Sequence, residues 1–347
     1  MMQDFAILVG IKTYPKAAKL TPLKGPHHDL DRIEKWLLTS KSAGGAGLDS
    51  KCILRLTETA NTNGNAQLSD IKTAVLAVKE LAKAQRPGES RPWARRLYLY
   101  FAGHGVFPPQ ADHFNWFETA FLAEDWQPDL AGQYIPVFEL SLFLMQAGYF
   151  EEIVVITDAC RSKMLATVPK QSISFTLDPN PEGKVSRLLV CYAASPNEFA
   201  AEHNFDGTDN GVFTKALSEA LVAAPRNASG QLTRAELKDF VSKRVPKLLE
   251  KYEQQNPRFE VVAEGERIIL AEGRPAELDI RITFANGAYN SDIIMRDAHF
   301  AEAARIPAGT TAAFSTSQPP GEYLLEIPGA DDREVLNYEL EGIDIEL

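Results

Sequence analysis

Six short runs of residues constrain this chain more than anything else in it: Phe5–Ile11, Cys52–Leu56, Leu97–Phe101, Ala120–Ala123, Ile153–Thr157 and Leu188–Ala193. Most are apolar throughout. A strand with one wet face alternates apolar and polar residues, whereas a strand covered on both faces does not. Helical spacing fills the gaps. Leu30, Ile33 and Leu37 share one face, and Leu68, Ile71, Val75 and Val78 share another. A third helix is expected from Pro136, a favourable first helical position, to about Ala147 before Gly148, and a fourth over Val212–Val222. The fifth opens with a capping box, Thr233 and Glu236, and is expected to run to about Leu249 with strain near Pro246. Strand and helix in alternation predict an α/β fold: a mostly parallel central sheet with helices on both faces, hence three layers.

The pattern changes after Arg274-Pro275. Leu278, Ile280, Ile282 and Phe284 alternate with polar residues, Asn286-Gly287 is a hairpin signal, and a strand at Tyr323–Ile327 follows the turn Pro319-Pro320-Gly321. Tyr338, Leu340, Ile343 and Ile345 alternate again. Charge changes at the same place. The chain of 347 residues has a net charge of −11, and residues 275–347 hold 14 Asp/Glu against 4 Arg and no Lys. We therefore expect a domain over 1–273 and a small acidic antiparallel β-sandwich over 274–347. The acidic balance argues against nucleic-acid and anionic-membrane partners, which select clustered Lys and Arg. No apolar run reaches the roughly 18 residues that span a bilayer. The first residues lack the basic start of a secretory signal, and the three cysteines, Cys52, Cys160 and Cys191, form neither a disulfide framework nor a zinc set. A reducing cytoplasm is the expected setting.

Two of the strands run into reactive residues. Leu97–Phe101 leads into Ala102-Gly103-His104-Gly105, and Ile153–Thr157 leads into Asp158-Ala159-Cys160-Arg161-Ser162. Residues just past the carboxyl ends of neighbouring parallel strands meet in one crevice. That would bring an imidazole beside a thiol, the partner a cysteine needs when its free pKa leaves it mostly protonated at neutral pH. The Gly105 and Cys160 N–H groups are candidate oxyanion donors. Cys191 sits within an apolar run and Cys52 at the start of one, so both are expected to be structural.

These residues resemble the caspase-like cysteine peptidases, in particular the metacaspase and bacterial caspase-homologue branch. His104-Gly105 after one strand and Asp158-Ala159-Cys160-Arg161 after the next long α/β unit match the family's dyad layout. Asp158 stands where caspases have Gln and metacaspases have Asp, and Ser162 where caspases have Gly. Ala6–Ile11, Leu23–Asp29, Phe121–Asp125, Cys191–Ser195 with Glu198, Ala200 and Glu202, and Gly211–Leu217 resemble further family segments. The similarity covers about residues 5–260; the C-terminal stretch lies outside it. The resemblance implies a dyad without an obligatory third carboxylate. Cys160 would attack the peptide carbonyl, His104 would handle the proton, and water would release the acyl-enzyme. Substrate would lie extended beside the sheet as an added strand.

Specificity is carried by fewer residues. The resemblance to metacaspases places Asp29 and Asp158 in the pocket for the residue before the cut, implying Arg, then Lys. Asp29 capping or solvating the first helix is the alternative. Lys24 lies near a pocket Arg of caspases, which keeps an Asp preference open, and Ala102 stands where metacaspases add a Ser. Arg161 is expected to face solvent or tie its loop. Met164–Lys184 reads as a long polar loop, and Met164–Arg187, with Lys170, Lys184 and Arg187, resembles the linker that relatives cut during activation, so self-cleavage is expected there. No cofactor is required. The acidic stretch Glu202–Asn210, with Asp206 and Asp209, could hold calcium as in some metacaspases, although such residues also make plain turns. The partners expected are a protein or peptide substrate and an activating protein at the C-terminal β-domain, in a signalling or defence role. The competing readings are a non-catalytic caspase-like scaffold and another thiol chemistry; no Gly-rich cofactor fingerprint supports the latter.

Overall fold

In a computed structural model of the chain, the described residues are 2–58, 65–107, 119–128, 134–163, 180, 182–205, 207–273, 278–284, 290–297, 301–311, 313–318, 322–327, 334–337 and 343–346. The elements run β1 (Asp4–Gly10), α1 (Pro26–Leu38), β2 (Ile53–Thr57), α2 (Leu68–Gln85), β3 (Ala94–Ala102), β4 (Gly105–Phe107), β5 (Ala120–Leu122), β6 (Tyr134–Pro136), α3 (Val137–Ala147), β7 (Phe150–Asp158), β8 (Ser162–Lys163) and β9 (Arg187–Tyr192). They continue with β10 (Glu202–Phe205), β11 (Thr208–Gly211), α4 (Val212–Ala223), β12 (Gln231–Leu232), α5 (Arg234–Leu248), β13 (Arg258–Val262) and β14 (Ala271–Glu272).

The central sheet has six strands in the order β13-β9-β7-β3-β1-β2. All neighbours are parallel except β13, which pairs antiparallel with β9 at the edge. The apolar runs are explained by their two sides. Phe5, Ile7 and Val9 of β1 pack in one cluster with Ile71 and Val75 of α2 and Leu140 and Leu144 of α3. Ala6 and Leu8 pack in the other with Leu30 and Ile33 of α1, Phe213 and Leu217 of α4 and Leu237 of α5. Each strand residue thus has an apolar layer to enter, at roughly 1.5–3 kcal/mol per large side chain buried. The predicted capping box forms at the start of α5, with Thr233 accepting from the Ala235 N–H and Glu236 accepting from the Thr233 N–H. Pro246 falls in the last turn of α5, where its missing N–H costs the one bond to the Ser242 carbonyl.

In the first 273 residues the strand pattern differs from the sequence reading. Ala120–Ala123 is buried, yet β5 belongs to a separate four-stranded sheet, β6-β5-β4-β8. The sequence pattern also leaves out β13, whose Arg258 and Glu260 break the apolar run as an edge strand allows.

Past residue 277 lie β15 (Leu278–Thr283), β16 (Ile293–Arg296), β17 (Glu302–Ile306), β18 (Phe314–Gln318), β19 (Glu322–Glu326), β20 (Glu334–Asn337) and β21 (Ile343–Glu346). They form a three-stranded sheet, β18-β15-β21, and a four-stranded one, β17-β16-β19-β20, and both contribute to one buried cluster that includes Ile280, Ile282, Met295 and Leu325. The pairing is antiparallel except that β15 and β21 run parallel. Pro275, Asn286-Gly287, Pro319–Gly321, Tyr338 and Leu340 lie outside the described residues. Among the described residues no helix is long and apolar enough to cross a membrane.

Candidate active site

The register of the central sheet decides where the reactive residues go. Gly10 of β1 is level with Ala102 of β3, and Ala102 is level with Asp158 of β7. His104 and Cys160 each follow two residues later. Beyond them β4 and β8 pair in parallel with Val106 opposite Ser162, so the offset of 56 residues holds on both sides. His104 and Cys160 therefore leave neighbouring strands side by side, at the carboxyl ends and next to the point where the strand order reverses between β1 and β3. Gly105 makes the approach possible: a Cβ there would lie 2.7 Å from the Cys160 carbonyl oxygen and 2.8 Å from the Ala159 Cβ.

His104 is held from several directions. The Gly103 N–H donates to the Asp158 carbonyl, and the His104 carbonyl accepts from the Leu122 N–H. Its ring Nε2 lies 2.8 Å from the Thr21 carbonyl. A carbonyl only accepts, so Nε2 carries the hydrogen and Nδ1 is left as the basic nitrogen. Burial pushes the imidazole below its ordinary pKa, partly offset by that hydrogen bond. The Cys160 Sγ is half-buried and accepts from the Ala200 N–H at 3.3 Å. Burial raises the thiol above its ordinary value; the Ala200 N–H lowers it, and Asp158 and Glu202 raise it. Both shifts favour the neutral thiol and imidazole over a standing thiolate–imidazolium pair.

The loop after Cys160 is tied down by Arg161. Its N–H donates to the Glu198 carbonyl, its carbonyl accepts from Asn197, and its guanidinium stacks 4.5 Å from the Tyr192 ring centroid and donates to the Ala194 carbonyl. Of the two expectations for Arg161, tying the loop is the one observed; it is 2% exposed.

A cavity of about 30 Å³, room for about one water, adjoins the pair. Asp29, His104, Asp158, Cys160 and Glu202 all line it, and among the described residues no Lys or Arg does. Asp29 accepts from the Asn210 side chain and the Gly211 N–H, both at 3.1 Å. It is buried, and α1 has no side-chain cap, so Asp29 neither caps nor solvates that helix. Asp158 accepts from the Thr214 N–H at 3.0 Å and its hydroxyl at 2.6 Å, at the start of α4. Burial raises both carboxyls, Asp158 to about 6, and the two acids raise Asp29 further by facing each other. Glu202, at the start of the β10–β11 hairpin, takes the Lys24 N–H at 3.1 Å and the Gly25 N–H at 3.0 Å. Lys24 meets this site through its backbone only, and its side chain is not part of the wall.

The remaining sequence candidates lie elsewhere. Ala102 is buried beside the cavity. Cys52 and Cys191 are buried and unpaired in disulfides, as expected. Arg187 is the first residue of β9, at the opposite end of the sheet from Cys160, and bonds Glu152 at 2.7 Å. Lys184 precedes it and donates to the Arg91 carbonyl at 3.4 Å. Lys170 and Asp206 lie outside the described residues, and the Asp209 side chain accepts from Asn204. Among the described residues no group of three or more His, Cys, Asp or Glu is placed to hold a metal ion.

Sequence reasoning missed Tyr14, Thr21 and Thr214 as partners of the site. It met Glu202 as part of an acidic turn, not as a wall of the cavity.

A caspase-domain family model matches residues 3–263. The chain belongs to the caspase-domain family. Members of this family are cysteine peptidases, and the matched span contains every caspase-domain residue just described. Two solved structures are similar. Caspase-1 from Spodoptera frugiperda is 14% identical with a TM-score of 0.48, over 75% of this chain and 88% of its own. A protein from Geobacter sulfurreducens is 14% identical with a TM-score of 0.47, over 79% and 98%. No curated protein matches the chain significantly. The family assignment rests on the family model.

Proposed function

We propose that this caspase domain is a cysteine endopeptidase of the metacaspase type, cutting after a basic residue, Arg before Lys. One observation carries the reading: the cavity beside His104 and Cys160 is walled by Asp29, Asp158 and Glu202 and, among the described residues, by no cation. Like charges gathered out of water cost free energy until an opposite charge joins them. An arginine or lysine side chain supplies it, and an aspartate is repelled. The bound cation also cancels the carboxylate field that now raises the Cys160 thiol.

In the reaction His104 Nδ1 takes the Cys160 proton as Sγ attacks the carbonyl carbon. The Gly105 and Cys160 N–H groups receive the developing oxyanion. The amine leaves with the proton from the imidazolium. Water, deprotonated by His104, then cleaves the thioester. The cavity of about 30 Å³ is small for a long side chain, and opening of the β10–β11 hairpin, which carries the Glu202 wall, is the movement we propose to admit one. That opening is where an activating signal would act. Residues 274–347 are read as an acidic accessory domain suited to a basic partner.

The test is a peptide panel with Arg, Lys or Asp before the scissile bond, assayed with and without calcium. Arg peptides are expected to turn over fastest, and Cys160→Ala to lower the rate by on the order of 10⁴-fold or more. Turnover of Asp peptides without Arg turnover would overturn the specificity. Equal rates for wild type and Cys160→Ala would overturn the peptidase reading and favour a scaffold.

A further inference from the structure

His104 follows β3 by two residues and depends on its backbone contacts for its position. Two of these contacts are backbone to backbone, from Gly103 to Asp158 and from Leu122 to His104. The third comes from a side chain. The His104 N–H donates to the Tyr14 hydroxyl at 2.8 Å. Tyr14 is buried, and its ring lies 5.1 Å from the imidazole, tilted by 51°. The fit is close at Gly103 too, where a Cβ would lie 2.7 Å from the Tyr14 oxygen and 3.1 Å from the Phe121 ring.

The loop that carries Tyr14 is itself braced. Ala17 donates to the Tyr14 carbonyl, Leu20 to Ala17, and Leu23 to Lys12. The same loop supplies the Thr21 carbonyl to Nε2. One short segment after β1 therefore grips the histidine twice, once at its backbone and once at its ring.

We infer that Tyr14 is a positioning residue for His104: its hydroxyl fixes the backbone from which the imidazole reaches Cys160. This rests on the reading of His104 as the base. A misplacement of about 1 Å in such a group costs a reaction on the order of 100-fold. Tyr14 is buried and is not part of the cavity wall, so loss of its hydroxyl should appear in turnover and not in binding.

Tyr14→Phe keeps the ring and removes only the oxygen. On an Arg peptide kcat is expected to fall about 10- to 100-fold, with KM within about twofold of wild type. In hydrogen exchange, the wild-type His104 amide is expected to be as slow as the β3 amides, and about tenfold faster in Tyr14→Phe. A kcat within twofold of wild type, or a loss carried by KM, overturns the inference. Should Tyr14→Phe fail to fold, the wild-type amide decides: fast exchange at His104 overturns it, slow exchange supports it. A wild type that cleaves no Arg peptide refutes the peptidase reading instead, and the same amide still reports on the anchor.

Discussion

The two ends of the central sheet handle charge in opposite ways. At the amino ends two acids are matched by cations. Asp4 meets Arg95, and Glu152, 6% exposed, meets both Arg96 and Arg187. At the carboxyl ends Asp29, Asp158 and Glu202 share a cavity and accept only from N–H and O–H groups. Dipoles make three carboxylates tolerable without neutralising them. Asp4 and Glu152 at the amino end find their cations within the chain. The carboxyl end has no such partner among the described residues, and on the proposed specificity a basic substrate side chain supplies it.

The contrast breaks most readily at Glu152. Glu152→Leu leaves Arg96 buried without its counter-ion, and is expected to lower unfolding stability by roughly 3–5 kcal/mol in urea titration. Peptidase activity per folded molecule should stay the same. A loss below about 1 kcal/mol would mean that the amino-end pairs do not hold the fold.

Asp158→Asn should do the reverse. Stability is unchanged or improved, because one of two facing buried acids is gone, while kcat/KM for Arg peptides falls about 100-fold. A variant that loses stability and keeps its Arg preference would erase the distinction between the ends.

The pH dependence of stability sharpens it. In the unfolded chain these carboxyls titrate near 4. In the folded state Asp158 is pushed up to about 6 and Asp29 is raised as well. The folded state thus binds the extra protons between those values, and stability falls as pH rises through that window. The melting temperature of wild type, measured relative to Asp158→Asn, should rise as pH is lowered from 7 to 5. A relative decrease would show that the acids are matched by cations after all.

The smallest effect is expected at Lys24. Only its backbone N–H meets Glu202, so Lys24→Ala should change the Arg, Lys and Asp rates by no more than about twofold. A gain in Arg cleavage and loss of Asp cleavage would show that the side chain governs the pocket.

Much of this site was legible because strand ends are local. The runs before His104 and Cys160 identify both strands, and parallel pairing needs only equal offsets to bring the two residues level. Asp29 and Asp158 were legible by resemblance. Glu202 was legible as part of a resembling segment and an acidic turn but not as a wall, because that place depends on a hairpin that folds back onto residues 178 positions away. Tyr14 and Thr21 lie in a loop whose composition resembles any turn. The fold shows the same limit. Apolar composition at Ala120–Leu122 reports burial and says nothing of which sheet does the burying. Alternation in the tail reports a strand and says nothing of its direction, so the parallel β15–β21 pair could not be read.

Gly105 carries a consequence of its own. The gap between the two reactive loops is one hydrogen atom wide there, since a methyl carbon would sit 2.7 Å from the Cys160 oxygen. In informational terms, position 105 is specified as tightly as position 160. One is specified by what the side chain does, the other by the requirement that there be none.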